Sequence, residues 1–349
     1  MINNSFFSTE ILRWFRENGR DLPWRETRDP YAIWLSEIIL QQTRIAQGWE
    51  YWERFMQNYP TVGDLAAASE DDVLKLWQGL GYYSRARNLH AAAKQIVALG
   101  DFPNTLEGIK SLKGVGDYTA AAIGSFAFDI PAAVVDGNVY RVLSRYLGID
   151  TPINSTQGKK EFAALAQSLL PASDAASYNQ GMMDFGAIQC TPQSPKCLLC
   201  PLAETCEALR SGRVEELPVK NKTVKVKTRH LSYIYIRCKS SAADGAGNSE
   251  PMVAIHRRGE GDIWQGLWEP YNVSDVKELP SFVKNPILLA KDVKHVLTHR
   301  ILLADFYLLE TETCPQLPDD YIWIKESEIE DYGVPRLIEI MLEKINPAE

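Results

Sequence analysis

Four cysteines lie within seventeen residues of this 349-residue chain, and they constrain its fold more than any other feature. The gaps between Cys190, Cys197, Cys200 and Cys206 hold six, two and five residues. Four thiolates at such spacing can close around one metal centre, either as structural zinc ligands or around an iron–sulfur cluster. Zinc sites more often pair two separated Cys-x-x-Cys knuckles. Only one such pair is present here, so the pattern favours the cluster.

The other two cysteines, Cys238 and Cys314, stand apart from this group. No apolar run approaches the roughly 18 residues that a membrane helix needs, and the segment from Met1 to Thr9 has no pattern of a secretory signal. We therefore expect a cytoplasmic protein in a reducing environment, where disulfides are rare. Cys238 and Cys314 are predicted to be buried thiols on strands rather than ligands.

Apolar residues recur at helical spacing up to about residue 212, which predicts a mainly α N-terminal part without strands. Ser8 or Thr9 is predicted to cap the first helix. Further helices are expected at 31–44, 69–78, 83–99, 118–127, 139–147 and 159–170.

The residue composition and the spacing of apolar residues change after Gly212. Residues 213–229 are predicted to be a linker, either solvated or lying on an anionic surface, because they contain a basic series and hardly a large apolar side chain: Lys220, Lys222, Lys225, Lys227 and Arg229. Residues 230–349 alternate apolar and polar side chains and predict an α+β domain. Strands are expected at 231–237, 252–257, 293–310 and 321–324, a loop at 240–250, and a last helix after Pro335.

A net charge of −8 argues mildly against nucleic acid, because binders of polyanions usually carry a basic face. The arginines nevertheless gather in short stretches, and a local cleft can contact DNA while the outer surface stays acidic. Charge alone leaves the question open.

Glycines two residues apart mark the segment from Leu112 to Ala120, between two predicted helices. Gly114, Val115 and Gly116 can turn successive backbone amides toward one anion, and a helix N-terminus follows directly. Such a hairpin can hold a DNA phosphate without a lysine. A plain helix–turn–helix corner explains the same residues.

Two carboxylates stand out by their surroundings. Glu37 lies in an almost uncharged stretch from Tyr31 to Thr43, where desolvation would raise its pKa and keep it protonated as a general acid. A solvated or ion-paired helix residue is the ordinary alternative. Asp136 precedes a predicted helix, whose N-terminus would keep it ionised, although it can equally be a simple N-cap. Together they offer the acid and the anion that glycosidic-bond cleavage needs.

The glycine hairpin, the segment from Val134 to Val139 and the cysteine spacing resemble the helix–hairpin–helix DNA glycosylase superfamily. The stretch from Trp34 to Thr43, W-L-S-E-I-I-L-Q-Q-T, is similar to the adenine DNA glycosylases of the MutY type. So is G-L-G-Y-Y-S-R-A-R-N-L from Gly79. The resemblance implies a helical catalytic domain of two lobes over residues 1–212, with the hairpin at about 112–120 and one [4Fe-4S] cluster at 190–206. It also implies a Nudix-like lesion-recognition domain over 230–349.

What the resemblance implies for function is removal of adenine mispaired with 8-oxoguanine or guanine in double-stranded DNA, after the adenine is flipped out of the stack. We expect a monomer in the bacterial cytoplasm, associated with the nucleoid. Glu37 would protonate the adenine at N7, and Asp136 would stabilise the sugar cation, supported by Tyr118 and Asn138. The adenine pocket would be lined by Arg20, Trp24, Arg25, Leu40, Gln42 and Asp184. DNA contacts would come from Thr43, Tyr82, Gly114, Val115 and Gly116, with Tyr82 wedged beside the lesion.

Three departures from related patterns bear on this interpretation. Glycosylases of the endonuclease III type, which act on oxidised pyrimidines, place an imine-forming lysine where Tyr118 stands, and tyrosine cannot form that imine. A monofunctional hydrolase is therefore expected. The lesion-reading loop is usually Phe-Ser-His, whereas this chain has Leu297, Thr298 and His299. The acidic box of true Nudix hydrolases is absent, so pyrophosphatase activity is not expected. A cluster-bearing DNA-binding protein without catalysis is the remaining alternative.

Overall fold

The computed structural model describes residues 4–221, 226–239, 250–273, 280 and 282–346. The chain forms two compact units, one of residues 1–66 with 91–222 and the other of residues 67–90 with 223–349. Lys222, Lys225 and residues 240–249 of the loop predicted at 240–250 lie outside the described residues. No helix among the described residues is long and apolar enough to cross a membrane.

Helices make up the first unit, as the sequence predicts. Those wholly or partly within it are α1 (Asn4–Asn18), α2 (Pro30–Ile39), α3 (Ile45–Asn58), α4 (Val62–Ala67), α6 (Ser84–Leu99), α7 (Leu106–Lys110), α8 (Asp117–Phe128), α9 (Gly137–Leu147), α10 (Thr156–Leu169), α11 (Ala175–Asp184) and α12 (Glu207–Arg210). A π-helical turn, Phe185–Gln189, continues α11. Helix α5 (Glu70–Leu76) and the start of α6 belong to the second unit.

Two apolar clusters form the core of the first unit. One gathers side chains of α1, α9, α10 and α11 around the fully buried Phe7, Phe162 and Phe185. The other joins Ile33 of α2 to Ala122 of α8 and to the segment before α9. These clusters fix α2, α8 and the N-terminus of α9 next to one another, which is what positions the site described below.

Several helix boundaries differ from the predicted ones. Helix α1 begins at Asn4, so Ser8 is not its cap. Instead, the Ser8 hydroxyl is buried and donates to the carbonyl of Leu169 at 2.5 Å. Helix α2 ends at Ile39 rather than Arg44, because the chain turns through Gln42 at a positive φ of 61°. Four helices were not predicted from the sequence, namely α3, α4, α11 and α12.

The predicted linker is shorter in the structure. Leu217 is buried, and its carbonyl accepts a hydrogen bond from Arg145 Nε at 3.0 Å. Residues 213–221 therefore pack on the first unit, and Lys227 already opens the first strand. Arg229 lies on that strand and pairs with Asp262 rather than with an external anion.

The second unit is a mixed sheet with flanking helices, which confirms the α+β prediction. Its strands are β1 (Lys227–Cys238), β2 (Met252–Arg257), β3 (Trp268–Glu269), β4 (Tyr271–Val273), β5 (Ile287–Val296), β6 (Arg300–Thr311) and β7 (Tyr321–Lys325). The order is β3-β2-β1-β6-β5, with β4 also paired to β1 and β7 to β2. Helix α13 (Arg336–Ile345) packs on one face through Leu337, Ile338 and Met341.

Strand pairing corrects the prediction for the two remaining cysteines. β1 and β6 run parallel, and Cys238 faces Thr311 in the register. The chain beyond β6 then brings Cys314 to Cys238, and the two form a disulfide with a Cα–Cα distance of 5.3 Å. They are therefore not isolated buried thiols, and Cys314 lies after the strand rather than on it.

Residues 67–90 pack within the second unit, a grouping that the sequence did not predict. Arg257 Nη2 donates to Glu70 Oε1 at 2.8 Å, and Arg87 Nη1 donates to the carbonyl of Gln265 at 2.6 Å. Gln78 accepts from the backbone amide of Val334 at 3.2 Å. Contacts far apart in sequence thus tie α5 and the start of α6 to the sheet domain.

Candidate active site

A cavity of about 640 Å³ opens in the first unit. The four residues predicted to be catalytic all line it, on α2, α8 and the N-terminus of α9: Glu37, Tyr118, Asp136 and Asn138. Of the residues predicted to contact adenine or DNA, the walls include Arg20, Trp24, Arg25, Leu40, Gln42 and Thr43. Asp184 does not line the cavity.

Glu37 is buried on α2, a helix with no exposed residue from Tyr31 to Ile39. The Tyr118 hydroxyl of α8 donates to Glu37 Oε2 at 2.8 Å. Burial raises the pKa of Glu37 to about 7, opposed by this hydrogen bond and by Arg25, and reinforced by the charge of Asp136. A carboxyl with this pKa is partly protonated at neutral pH, as a general acid requires.

Asp136 caps α9 and faces the same cavity. One carboxylate oxygen accepts from the backbone amides of Asn138 at 2.9 Å and Val139 at 2.8 Å, and the other accepts from Asn138 Nδ2 at 2.7 Å. Arg141 Nη2 in turn donates to Asn138 Oδ1 at 2.8 Å. Burial raises the pKa of Asp136 despite these bonds, so the shift is opposite to the one predicted from the helix N-terminus alone.

A buried carboxylate organises one wall of the cavity. Asp184 is fully buried and accepts two hydrogen bonds from Arg25, at 2.8 and 2.9 Å. It also accepts from the backbone amide of Arg20 at 2.9 Å and from the guanidinium of Arg20. These arginines hold the pKa of Asp184 below its usual range against the effect of burial. The predicted pocket residue thus lies behind the wall and orients the arginines that form it.

The rest of the wall is aromatic and apolar. Trp24 is buried and makes edge contacts with Trp49 and Trp52, with ring centroids 5.8 and 5.7 Å apart. The turn after α2 carries Leu40 and Gln42 to the rim. A flat heteroaromatic ring flanked by guanidinium groups fits such a lining.

Sequence reasoning missed several wall residues. Gln41 and Arg44 flank the predicted pair of Gln42 and Thr43 at the turn after α2. Other missed residues come from α11 and the turn that follows it: Gln180, Met183 and Ala187. Their spacing of three and four residues is a helical signal that would have placed them on one face, had α11 been predicted.

The glycine hairpin joins α7 to α8. Gly114 has a positive φ of 77°, which favours glycine, and Gly116 is the N-cap of α8 with open space where a Cβ would stand. The turn is fixed by hydrogen bonds from the amide of Val115 to Leu112 and of Lys113 to Gln95 Oε1. Gly116 gives α8 no side-chain cap, and the first amides of a helix have no partner within the helix, as an anion site needs.

The four clustered cysteines line one small cavity of about 30 Å³. Each is half-buried and unbridged, and Arg145 Nη1 donates to Cys190 Sγ at 3.4 Å. Backbone amides also point at the sulfurs, with Leu202 donating to Cys200. Four converging thiols with cationic and amide donors around them fit an anionic iron–sulfur cluster, and these are the residues that would hold it.

The predicted lesion-reading residues form the tip of the hairpin between β5 and β6. The amide of Leu297 donates to the carbonyl of Arg300 at 2.8 Å, which leaves Thr298 and His299 exposed at the turn. Tyr82 lies in the same unit at a positive φ of 48°. The hydroxyl groups of Tyr82 and Thr298 are hydrogen-bonded at 2.7 Å.

Comparison with known proteins agrees with this fold and site. Residues 35–171 match the HhH-GPD superfamily of base excision DNA repair proteins, residues 190–206 the iron–sulfur binding domain of endonuclease III, and residues 247–344 the NUDIX domain. A solved thermostable thymine-DNA glycosylase is 33% identical, with a TM-score of 0.56 over 60% of this chain and 97% of its own. A solved endonuclease III–DNA complex, 23% identical with a TM-score of 0.53, shares the fold over 61% of this chain and 99% of its own.

These matches, with the paired carboxylates in one cavity, are typical of the helix–hairpin–helix superfamily of base excision DNA repair proteins. The curated relatives of this chain are more specific. The adenine DNA glycosylase of Buchnera aphidicola subsp. Schizaphis graminum is 31% identical over 350 residues, covering 97% of this chain and 98% of its own. The chain therefore belongs to the adenine DNA glycosylase family.

A mammalian relative is longer than this chain. The mouse adenine DNA glycosylase is 42% identical over 226 residues, which are 61% of this chain but only 44% of the mouse protein. The matched region thus spans less than half the length of the mouse protein. The matches to the iron–sulfur binding domain of endonuclease III and to the NUDIX domain confirm the iron–sulfur domain and the Nudix-like domain predicted from the sequence.

Proposed function

We propose that this protein removes adenine mispaired with 8-oxoguanine, or with guanine, from double-stranded DNA by hydrolysing the N-glycosidic bond. The observation that carries the proposal is the juxtaposition of Glu37 and Asp136 in one cavity whose walls suit a flipped base. Family membership supports the substrate, and the cavity supplies the chemistry.

Glu37 donates the proton that turns adenine into a better leaving group. Its pKa of about 7 keeps a substantial fraction of the carboxyl protonated at neutral pH, and Tyr118 fixes its orientation. Asp136 stabilises the positive charge that develops on the sugar as the bond breaks. Asn138, held by Arg141, keeps the Asp136 carboxylate in place.

Residues other than Glu37 and Asp136 bind the DNA. The hairpin of Gly114, Val115 and Gly116, closed by the Val115 amide, presents the start of α8 to a phosphate. Thr43 lies at the cavity rim. Tyr82 wedges beside the lesion, while Leu297, Thr298 and His299 read the opposite base. Cys190, Cys197, Cys200 and Cys206 would hold the iron–sulfur cluster, which would stabilise the fold of residues 190–206. The protein acts as a monomer.

A glycosylase assay tests the proposal. A duplex with adenine opposite 8-oxoguanine is incubated with excess enzyme, then treated with alkali to cut abasic sites. Glu37→Gln should bind this duplex but lose about a hundred- to ten-thousandfold in single-turnover rate, because the amide has no proton to give. Asp136→Asn should lose a similar factor, because the developing charge is no longer neutralised.

Glu50→Gln is the matched control. It makes the same chemical change on an exposed position of α3. Wild-type rates are expected for this variant. If Glu37→Gln cleaves at a near-wild-type rate, the acid assignment is wrong. Absence of adenine release by the wild-type protein from either mispair would contradict the proposed function as a whole.

A further inference from the structure

A carboxylate surrounded by arginines lies beside the β5–β6 hairpin in the second unit. Arg229 Nη1 lies 2.7 Å from each oxygen of Asp262, Arg258 Nη2 lies 2.8 Å from Oδ2, and Arg300 Nη1 lies 3.3 Å from Oδ1. The backbone amide of Ile263 donates to Oδ1 at 2.7 Å. One aspartate thus collects three guanidinium groups from three separate segments.

Arg300 connects this group of charges to the hairpin tip. It directly follows His299 and begins β6, and its carbonyl accepts the hydrogen bond from Leu297 that closes the turn. The carbonyl of His299 accepts from the amide of Lys227 at 3.2 Å. The Arg300 backbone therefore closes the base of the turn, and the Arg300 side chain is held by Asp262.

The loop that carries Asp262 also contacts the other strand of the hairpin. The ring of Trp264 lies 5.8 Å from the ring of His295 on β5, and the Arg258 guanidinium lies 5.8 Å from the Trp264 ring. Glu269 Oε2 accepts a hydrogen bond from Arg258 Nη1 at 2.5 Å. Both strands leading to the turn are thus held by one loop, and Asp262 provides the charge at its centre.

We propose that Asp262 is a positioning residue for recognition of the base opposite adenine. By holding Arg300, it keeps the turn in the orientation in which Thr298 and His299 read that base. Nothing in its placement gives Asp262 a part in bond cleavage, because it lies in the second unit and the catalytic carboxylates lie in the first. The inference rests on the proposed function and adds a specificity-determining residue to it.

The test compares single-turnover rates of adenine release opposite 8-oxoguanine and opposite guanine. In Asp262→Asn the ratio of the two rates should fall about tenfold, as expected when hydrogen bonds to charged groups are lost. It should approach the ratio of a variant with alanine at both Thr298 and His299. The rate opposite guanine should stay within about twofold of wild type. Asp262→Glu, which restores the charge, should recover part of the ratio.

A double-mutant cycle tests whether Asp262 acts through Arg300. Arg300→Gln should lower the ratio as Asp262→Asn does, and the double variant should be no worse than either single one, because both break the same link. Glu326→Gln is the control. Glu326 accepts from Arg237 at 2.6 and 3.0 Å and from Tyr235 at 3.0 Å, away from the hairpin, and its loss should leave the ratio unchanged.

Three outcomes overturn the inference. The first is an unchanged ratio in Asp262→Asn with both rates at the wild-type level. The second is an unchanged ratio with both rates lowered equally, which indicates general loss of structure. The third is tighter DNA binding with an unchanged ratio, which indicates that Arg229 and Arg300 are phosphate ligands released from Asp262. Each is separable from failure of the proposed function, in which the wild-type protein itself releases no adenine or shows no preference for 8-oxoguanine.

Discussion

The Tyr82 hydroxyl lies 2.7 Å from Thr298 Oγ1, although 216 residues separate the two along the chain. Tyr82 is the predicted wedge beside the lesion, and Thr298 is at the tip of the predicted reading turn. Both belong to the second unit. The proposed wedge and the proposed reading residue are thus joined by a hydrogen bond within one compact unit.

Breaking this hydrogen bond should weaken lesion preference. Thr298→Val and Tyr82→Phe each remove one hydroxyl, and each should lower the rate ratio between 8-oxoguanine and guanine about two- to tenfold, the value of one ordinary hydrogen bond. Thr298→Ser keeps the hydroxyl and should stay near wild type. The measurement is the same pair of single-turnover rates. Equal ratios in all three variants would show that the bond has no role.

The pH dependence of adenine release should follow Glu37. Its pKa is raised to about 7 by burial, so the active protonated form is lost as the pH rises through 7. At subsaturating enzyme concentrations, which report the free protein, the rate should fall about tenfold per pH unit above that value. Residual activity of Glu37→Gln should lack this descending limb. A flat wild-type profile between pH 6 and pH 9, that is, about one unit below and two above the raised pKa, would contradict the assignment.

Glu37→Gln should also make the protein more stable at alkaline pH. The folded-state pKa of about 7 exceeds the ordinary value of 4.5, so the folded state holds more protons than the unfolded state between these values. Wild-type stability therefore falls as the pH rises through this window, by up to about 3 kcal/mol. Glutamine does not ionise and escapes the loss. Melting temperatures should coincide near the ordinary glutamate pKa, diverge as the pH rises toward 7, and keep a constant difference above it.

The purified protein should be brown and contain iron. A [4Fe-4S] cluster absorbs broadly near ~400 nm, and its thiolate ligands are expected to be the clustered cysteines. Cys197→Ser should lose iron and absorption together. Cys238→Ser removes a cysteine that pairs with Cys314 instead, so this control should keep both. Metal analysis that finds zinc without iron would refute the cluster.

Tyr118 should make the enzyme monofunctional, leaving abasic sites that are cut only by alkali. Its hydroxyl donates a hydrogen bond to Glu37, and the tyrosine side chain has no amine with which to form an imine. Tyr118→Lys should introduce strand cleavage and a complex that borohydride traps. Tyr118→Phe, which removes the hydroxyl without adding an amine, should show neither. Trapping of the wild-type protein at the rate of base loss would refute monofunctionality.

The two residues proposed to be catalytic could be predicted from the sequence because their signals are local. Glu37 lies in an uncharged apolar stretch, and Asp136 directly precedes a helix. Their pKa values were less accessible. The helix N-terminus predicted a lowered pKa for Asp136, but desolvation depends on walls contributed by distant segments, and it has the larger effect. The four clustered cysteines are likewise local, whereas the disulfide depends on the register of β1 with β6.

Long-range relationships account for what the sequence did not reveal. Asp184 was predicted to contact adenine. Its two arginine partners, about 160 residues earlier in the chain, line the cavity instead, and Asp184 does not. Helix α11 lacks a strong amphipathic pattern because nearly every side of it is buried. The predicted boundaries at residues 212 and 230 treated the domains as consecutive, and no local signal shows that residues 67–90 pack with the C-terminal sheet.

This packing has a consequence for anyone who exchanges parts between members of the family. Val73, Leu74 and Trp77 are fully buried, and a Cβ on Gly266 would stand 3.0 Å from Leu74. A chimera that joins one relative's residues 1–222 to another's C-terminal domain would therefore place a foreign sheet domain against a helix pair that evolved with a different one. A graft that carries residues 67–90 along with the C-terminal domain keeps that contact surface matched, at the cost of two extra junctions.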